Sequence, residues 1–455
     1  MSAGLNPPPS TLPTVPPWMR QVLLLSAGGV VADVAVHGLH GGGSWLGLGA
    51  LAGGWFWLAR GQMGRSGSQH PSTVESWSER CHSLLPSFAE LEANPEAHQM
   101  RSTALQDLLA AQGRTDLRLA LVGSSRLKDE HLAGLSHALR GPMPLKLMVG
   151  DPLPTQSPQW EWSNAFASSD ALIFHLQPPL MAADLRWLES LPGELPLWVL
   201  VEANGPESPE AWLADLCSQW PGARPERILP WTGDSGALAT SLAPLAQWLA
   251  KQGKLLPPST LCRCLEHLHG RWQADLERLR RVQWRQLQQR TQWLVAAGVW
   301  VTPSLSLDLL VLSAANGLML REMARLWNCP WTLEQLKTAA LHLGKAALAM
   351  GVVEWSSQAV AGAFKLHGGT WLVGGALQAL SAAYLTRVVG HAMADLMARS
   401  VGVSEPDLEA IKAEAPLLVA KAAEAERLDW AGFLQEARGW LKQQVQTPPL
   451  LNEGA

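Results

Sequence analysis

Metal-ligating side chains crowd one short segment of this chain: Cys262, Cys264, His267 and His269. Thiolate sulfur and imidazole nitrogen are the usual donors of a tetrahedral zinc site. Whether they can converge depends on the element that carries them. Leu261, Leu265, Leu268, Trp272, Leu276 and Leu279 recur at three- and four-residue spacing, the pattern of an amphipathic helix over Leu261–Arg290. At ~100° per residue, that helix puts Cys262 and His269 on one face and Cys264 and His267 nearly opposite. Four ligands do not converge from one continuous helix, so no zinc site is expected. The five cysteines (Cys81, Cys217, Cys262, Cys264 and Cys329) contain no CxxC pair and are odd in number. A disulfide framework is therefore not expected, and the thiols read as those of a reduced, cytosol-facing protein. No Ser/His/Asp set and no paired carboxylates stand out. His367 and His391, beside apolar helices, read as packed side chains, and Asp308 and Arg387 as a candidate buried ion pair.

The same Leu261–Arg290 helix carries seven Arg against one Asp and two Glu, a net of +4. Three readings compete: a solvated face, a surface that touches anionic lipid headgroups, and a nucleic-acid contact. The first two rank equal and nucleic acid last. Across all 455 residues the net charge is −4 and the pI about 6.4, which argues against a general nucleic-acid binder with a basic surface. Apolar residues make up 47% and charged residues 16%, the opposite of the balance that disorder needs. The length leaves room for two or three domains. Tryptophan is abundant, 23 against one Tyr and six Phe, and the sequence supplies no reason for that bias.

Residues 1–17 are rich in Pro, Ser and Thr and read as a disordered tail. Residues 18–60 hold two apolar stretches, Gln21–Val36 and Trp45–Ala59, around a turn-rich His37–Ser44. Each reaches roughly 23–24 Å as a helix, short of a ~30 Å hydrocarbon core unless flanking turns or local thinning help. Arg20 precedes the first stretch, Arg60 and Arg65 follow the second, and the turn has no Lys or Arg. That asymmetry favours a membrane hairpin with both ends, and the domains that follow, on the cytoplasmic side. A signal peptide and a buried helical hairpin, the latter favoured by Asp33, are the rival readings.

Residues 61–117 read as a linker followed by helices. Over 118–252 short apolar runs alternate with helical segments: Arg118–Val122, Leu145–Val149, Ala171–Leu176, Leu195–Val201 and Arg227–Pro230. That rhythm predicts βαβ units and a mostly parallel sheet. In order and spacing the region resembles an Era-type GTPase domain. The family's phosphate loop, GxxxxGK[ST], falls on Gly123–Glu130 (GSSRLKDE). Gly123 is kept, but Lys128 takes the second glycine's place, Asp129 the lysine's and Glu130 the hydroxyl's. Two carboxylates there repel a polyanion, although Lys128 is only one position out of register. Asp151 keeps the acid of DxxG, while Pro154 removes its amide donor. Of the guanine-reading NKxD, Asn204 survives and Glu207 stands in place of the Asp. About 22 residues separate Gly123 from the next run, which leaves little space for a switch I strand. Thr232–Gly236 (TGDSG) loosely resembles the guanine-contacting loop. The resemblance thus implies a vestigial nucleotide site at Gly123, Lys128, Asp151, Asn204 and Glu207. No GTP or magnesium is expected there, and slow, atypical GTP binding is the alternative.

Gly253–Ser259 reads as a boundary, followed by a helical domain over 260–400 and two solvated helices, Glu405–Ala425 and Leu428–Gln444, within the acidic 401–455 tail. Charge is scarce from Trp293 to Tyr384, and the Gly/Ala/Ser-rich Gly368–Tyr384 suits either a bilayer or a tightly packed bundle core. Pro303–Asp308 (PSLSLD), Leu320–Trp327 (LREMARLW) and Gly374–Gly390 (GGALQALSAAYLTRVVG) resemble the domain-of-unknown-function 697 (YcjF-type) family over about Trp293–Ala398. In that family the helical domain commonly follows an Era-type GTPase domain behind N-terminal membrane segments. The expected architecture is therefore a degenerate P-loop GTPase-like α/β sheet followed by an all-α domain, with an N-terminal transmembrane hairpin. The expected role is that of a membrane-associated, non-catalytic scaffold that binds a lipid membrane and a protein partner.

Overall fold

The apolar runs form five strands because each is short, rich in branched residues and bounded by polar or turn-forming sequence. The computed structural model describes residues 72–92, 94–157, 160, 162–191, 194–203, 209–301, 309–365, 374–401, 403 and 405–446. The tail at 1–17 and the membrane hairpin at 18–60 lie outside the described residues. Pro71–Ala455 forms a unit of its own. It begins with α1 (Val74–Leu91) and α2 (Pro95–Ala110), where the mixed helical segment was expected.

The strands are β1 (Leu117–Gly123), β2 (Leu145–Val149), β3 (Ala171–Leu176), β4 (Leu197–Glu202) and β5 (Ile228–Trp231). All four pairings are parallel, in the order β2-β1-β3-β4-β5. The connections carry α3 (Asp129–Ala138), α4 (Asn164–Ala167), α5 (Ala182–Glu189), α6 (Pro209–Gln219) and α7 (Ser235–Gln252). Side chains alternate between the two faces. Leu119, Leu121, Ile173, Trp198 and Leu200 pack with Leu135 of α3 and Leu238, Leu242 and Leu245 of α7. Ala120, Val122, Leu172, Phe174, Val199 and Val201 pack with Trp187 of α5 and Leu216 of α6 on the other face. Covering both faces makes the central β3 buried at every position. The edges differ: β2 exposes Lys146, and β5 tolerates Pro230 because one side of an edge strand has no ladder partner.

At the amino ends of the strands one carboxylate gathers several donors. Asp170, fully buried just before β3, takes a bidentate contact from the Arg114 guanidinium, whose Nη1–Oδ2 arm is 2.8 Å. It also accepts the Arg118 amide at 2.8 Å and the Thr260 hydroxyl at 2.7 Å. Arg263 donates to the Ser169 carbonyl at 2.6 Å. Thr260 and Arg263 belong to α8 (Leu256–Val301), a helix of 46 residues, about 69 Å long at ~1.5 Å per residue. It extends past the expected Arg290 because nothing in the apolar Trp293–Val301 breaks it. It is described to Val301, next to the residue before Pro303, where helical backbone is disfavoured.

The first half of α8 packs Leu261, Leu265, Leu268, Trp272 and Leu276 against Trp77, Leu84 and Phe88 of α1 and Leu105 of α2. Its second half enters a bundle with α9 (Leu309–Leu326), α10 (Leu333–Ala349), α11 (Val352–Lys365), α12 (Gly374–Arg399), α13 (Leu408–Leu428) and α14 (Trp430–Gln446). From Ala379 to Val389, α12 is buried at every position except Arg387, as expected of a helix apolar on all sides at the centre of a bundle. Its small residues thus serve core packing. Among the described residues no single helix is long and apolar enough to cross a membrane, but α10 and α11, bent by 58°, pass that test as a pair. Several tryptophans become cross-braces here: Trp293, Trp300, Trp355, Trp430 and Trp440 stack with one another, with Tyr384 or with Phe433.

Asp170→Ala would leave the Arg114 guanidinium buried beside a lost partner. The expected outcome is a loss of about 3–5 kcal/mol in denaturant unfolding, with wild-type stability as the result that contradicts it.

Candidate functional site

In doubly wound sheets ligands bind beyond the carboxyl ends of the strands, where the strand order reverses. Here that point lies between β1 and β3. The β1–α3 turn begins at Gly123, which pairs with His175 in the β1–β3 register. A Cβ at Gly123 would lie 2.2 Å from the His175 carbonyl oxygen, so close approach of the two strands requires the glycine. Leu127, in the middle of the turn, is buried in the sheet core with Leu135 and Leu238. Lys128 caps α3 without a side-chain hydrogen bond and is exposed. Asp129 and Glu130 occupy the first turn of α3 with side chains 84% and 67% exposed, and Arg126 stands 3.6 Å from Asp129.

Asp151, after β2, is exposed. The chain beyond it folds back on β1: the Gly150 amide donates to the Leu121 carbonyl and the Leu153 amide to the Gly123 carbonyl, both at 2.8 Å. The Trp187 indole of α5 donates to the Pro154 carbonyl at 3.0 Å. Asn204 and Glu207 lie outside the described residues, so of the five expected site residues only Gly123, Lys128 and Asp151 are placed, at the carboxyl edge.

That edge also brings together residues the motif reading did not use. His175 and Glu202 are buried, with Nε2 and Oε2 3.0 Å apart. Gln177 donates to the same carboxylate oxygen at 2.8 Å. On the other side His175 Nδ1 lies 3.3 Å from the Ser125 hydroxyl and 3.2 Å from the Ser125 carbonyl. The signal was parity. His175 shares the face of Ile173, and Glu202 that of Leu200, so polar residues ending two neighbouring buried strands had to meet. A histidine inside an otherwise apolar strand needs a partner, and the adjacent strand's terminal acid supplies it.

Residues 264–424 match the family model of a domain of unknown function, DUF697. That stretch of the helical region is similar to DUF697. The chain matches no curated protein and no solved structure. The match opens inside α8 and closes inside α13, so it takes in the arginine-rich half of α8 and the bundle core.

Of the seven α8 arginines, three are used internally. Arg263 holds the sheet, and Arg280 is buried with an Nε that finds no partner. Arg281 pairs with Glu277 and Asp395, each at 2.6 Å. Burial alone would raise the Asp395 carboxyl, but Arg281 and Lys421 beside it outweigh burial and hold it below the usual carboxylate range. Arg271, Arg278, Arg285 and Arg290 stay exposed. Arg387 was expected to pair with Asp308, which lies outside the described residues. Its guanidinium engages Glu426 and Asp429, and His391 Nδ1 lies 2.8 Å from Glu426, so this histidine is bonded as well as packed. The Cys/His quartet of α8 stays apart: Cys264 Sγ donates to the Ala167 carbonyl at 3.4 Å, and His269 meets the Trp77 ring edge-on. Burial pushes the Cys81 thiol up to about 11 and raises Cys262, Cys264 and Cys329, which keeps these four from being ready nucleophiles.

Gly123→Ala would drive a Cβ against a backbone carbonyl in the centre of the sheet. It is expected to cost about 1–3 kcal/mol in urea unfolding. Unchanged stability would show that the glycine is not needed for strand approach.

Proposed function

We propose that this chain is a membrane-anchored, non-catalytic protein in which a GTPase-like α/β module acts as a scaffold and the DUF697 domain as a partner-binding body. The strand order β2-β1-β3-β4-β5 supports a nucleotide-fold ancestry for the module. The observation that carries the reading is the chemistry at the carboxyl ends of β1, β3 and β4. The group such a fold would hold there is a guanine nucleotide with magnesium, and the residues present do not fit it. The α3 amino terminus, which would attract phosphate, already has Asp129 and Glu130 in its first turn. Leu127 turns into the core, and the Gly123 carbonyl is bound to the Leu153 amide. The crevice between the strand ends is occupied by His175 and the acid Glu202. Arg126, beside Asp129, and Lys128 are exposed at the rim, two cations against the three carboxylates of Asp129, Glu130 and Glu202. The anchor rests on the two apolar stretches and flanking arginines of residues 18–60.

Titration calorimetry with GTP and GDP in the presence of magnesium is expected to give no heat of binding at micromolar nucleotide. Micromolar, magnesium-dependent binding would falsify the scaffold reading in favour of a slow, atypical GTPase. In cell fractionation the full chain is expected in the membrane pellet, with a chain lacking residues 1–60 largely released. If the full chain stays entirely in the supernatant, the anchor is lost.

A further inference from the structure

We propose that the α9–α10 face of the DUF697 domain is a docking site for an anionic phospholipid surface, a partner assignment that rests on the membrane association proposed above. On α10, Leu333, Lys337, Leu341, Lys345 and Leu348 fall on one arc of about 120°. The leucines are 42%, 39% and 47% exposed, while Leu336, Ala339, Leu343 and Ala347 bury the opposite face. α9 continues the surface with Leu318, 64% exposed, and with exposed Arg321 and Arg325. The two helices adjoin there: a Cβ built at Gly317 would lie 3.7 Å from Cε of Lys337. Between the end of α9 and the start of α10 a cleft of about 580 Å³ is lined by Arg321, Arg325, Trp331 and Leu333.

The charges decide the partner. Elsewhere in this domain the half-buried Arg281 and Arg387 are consumed by carboxylates. Among the described residues the side chains of Arg321, Arg325, Lys337 and Lys345 form no ion pair or hydrogen bond. They stand against only two exposed acids on the same helices and face, Glu322 and Glu334. Cations at three- and four-residue spacing between exposed leucines match an interface whose headgroups are anionic and whose next layer is apolar: long basic side chains reach the phosphates while leucines enter the acyl boundary. The cleft gives one headgroup phosphate two guanidinium partners.

The test uses the full chain with the photoreactive residue p-benzoylphenylalanine replacing Leu341 or Leu348, and Met100 on α2 as a control in the separate α1–α2–α8 cluster. Irradiation on phosphatidylcholine vesicles containing phosphatidylglycerol is expected to give lipid adducts at 341 and 348 and none at 100. Pure phosphatidylcholine should give few. The combined change Arg321→Gln, Arg325→Gln, Lys337→Gln and Lys345→Gln should leave thermal unfolding unchanged. It should cut adduct yield more than about tenfold, since each cation is worth roughly fivefold in surface affinity. A chain that sediments with anionic vesicles yet gives no adduct at 341 or 348 overturns this face and leaves membrane association standing. A chain that does not sediment with them overturns both. Equal yield from the neutralised chain, or crosslinks to a copurified protein in place of lipid, overturns the assignment as well.

Discussion

A single buried carboxylate holds the two halves of this molecule in register. Asp170 lies where β1, β3 and α8 meet, and an isolated charge at such a site would be prohibitive. Its cost is offset because every direction is filled: a guanidinium from the approach to β1, a backbone amide of β1 and a hydroxyl from α8. The first turns of α8 therefore cannot shift against the sheet without exposing that charge to apolar surroundings. Since α8 then runs on into the bundle, the orientation of the DUF697 domain follows from this contact and from the α1–α8 packing that continues it.

The two edges of the sheet have diverged in consequence. At the amino edge, charge and hydrogen bonding attach a neighbouring element. At the carboxyl edge, where doubly wound folds usually keep open, cationic or amide-rich space, a His–Glu pair with Ser125 and Gln177 closes the centre. The acidic first turn of α3 faces outward. At that centre His175, Glu202, Gln177 and Ser125 bind one another. The helical domain differs, with cations on α9 and α10 left unpaired at its surface while Arg281 and Arg387, further inside, are bound to carboxylates.

Much of the architecture was legible because burial on both faces leaves little freedom in strand composition. Ala171–Leu176 and Leu145–Val149 were read with the bounds they have, and α3, α5, α6 and α7 lie between or after the strands, where helical segments were expected. The helix of α8 was visible in its leucine stripe, although its length was not, since an apolar continuation looks the same whether it extends one helix or starts another. The choice between bilayer and core for the small residues of α12 could not be made from composition, because both environments reward close backbone approach. The site was half legible. Gly123 was marked as a phosphate-loop glycine; that it also lets β1 approach β3 requires knowing that His175 is its neighbour.

What the chain determined by itself is local: the periods that make strands and helices, the loss of phosphate-gripping groups after β1, the failure of the Cys/His quartet to converge, and the resemblance of its C-terminal half to the DUF697 family. Each depends on spacing along one element. What only the tertiary structure decided is pairing across elements: Asp170 with Arg114 and Thr260, His175 with Glu202, Arg387 with Glu426, and which arginines of α8 are spent inside. Those partners lie between 27 and 114 residues apart in sequence. The fold brings them together because a buried charge must find its complement wherever the chain's path has placed it.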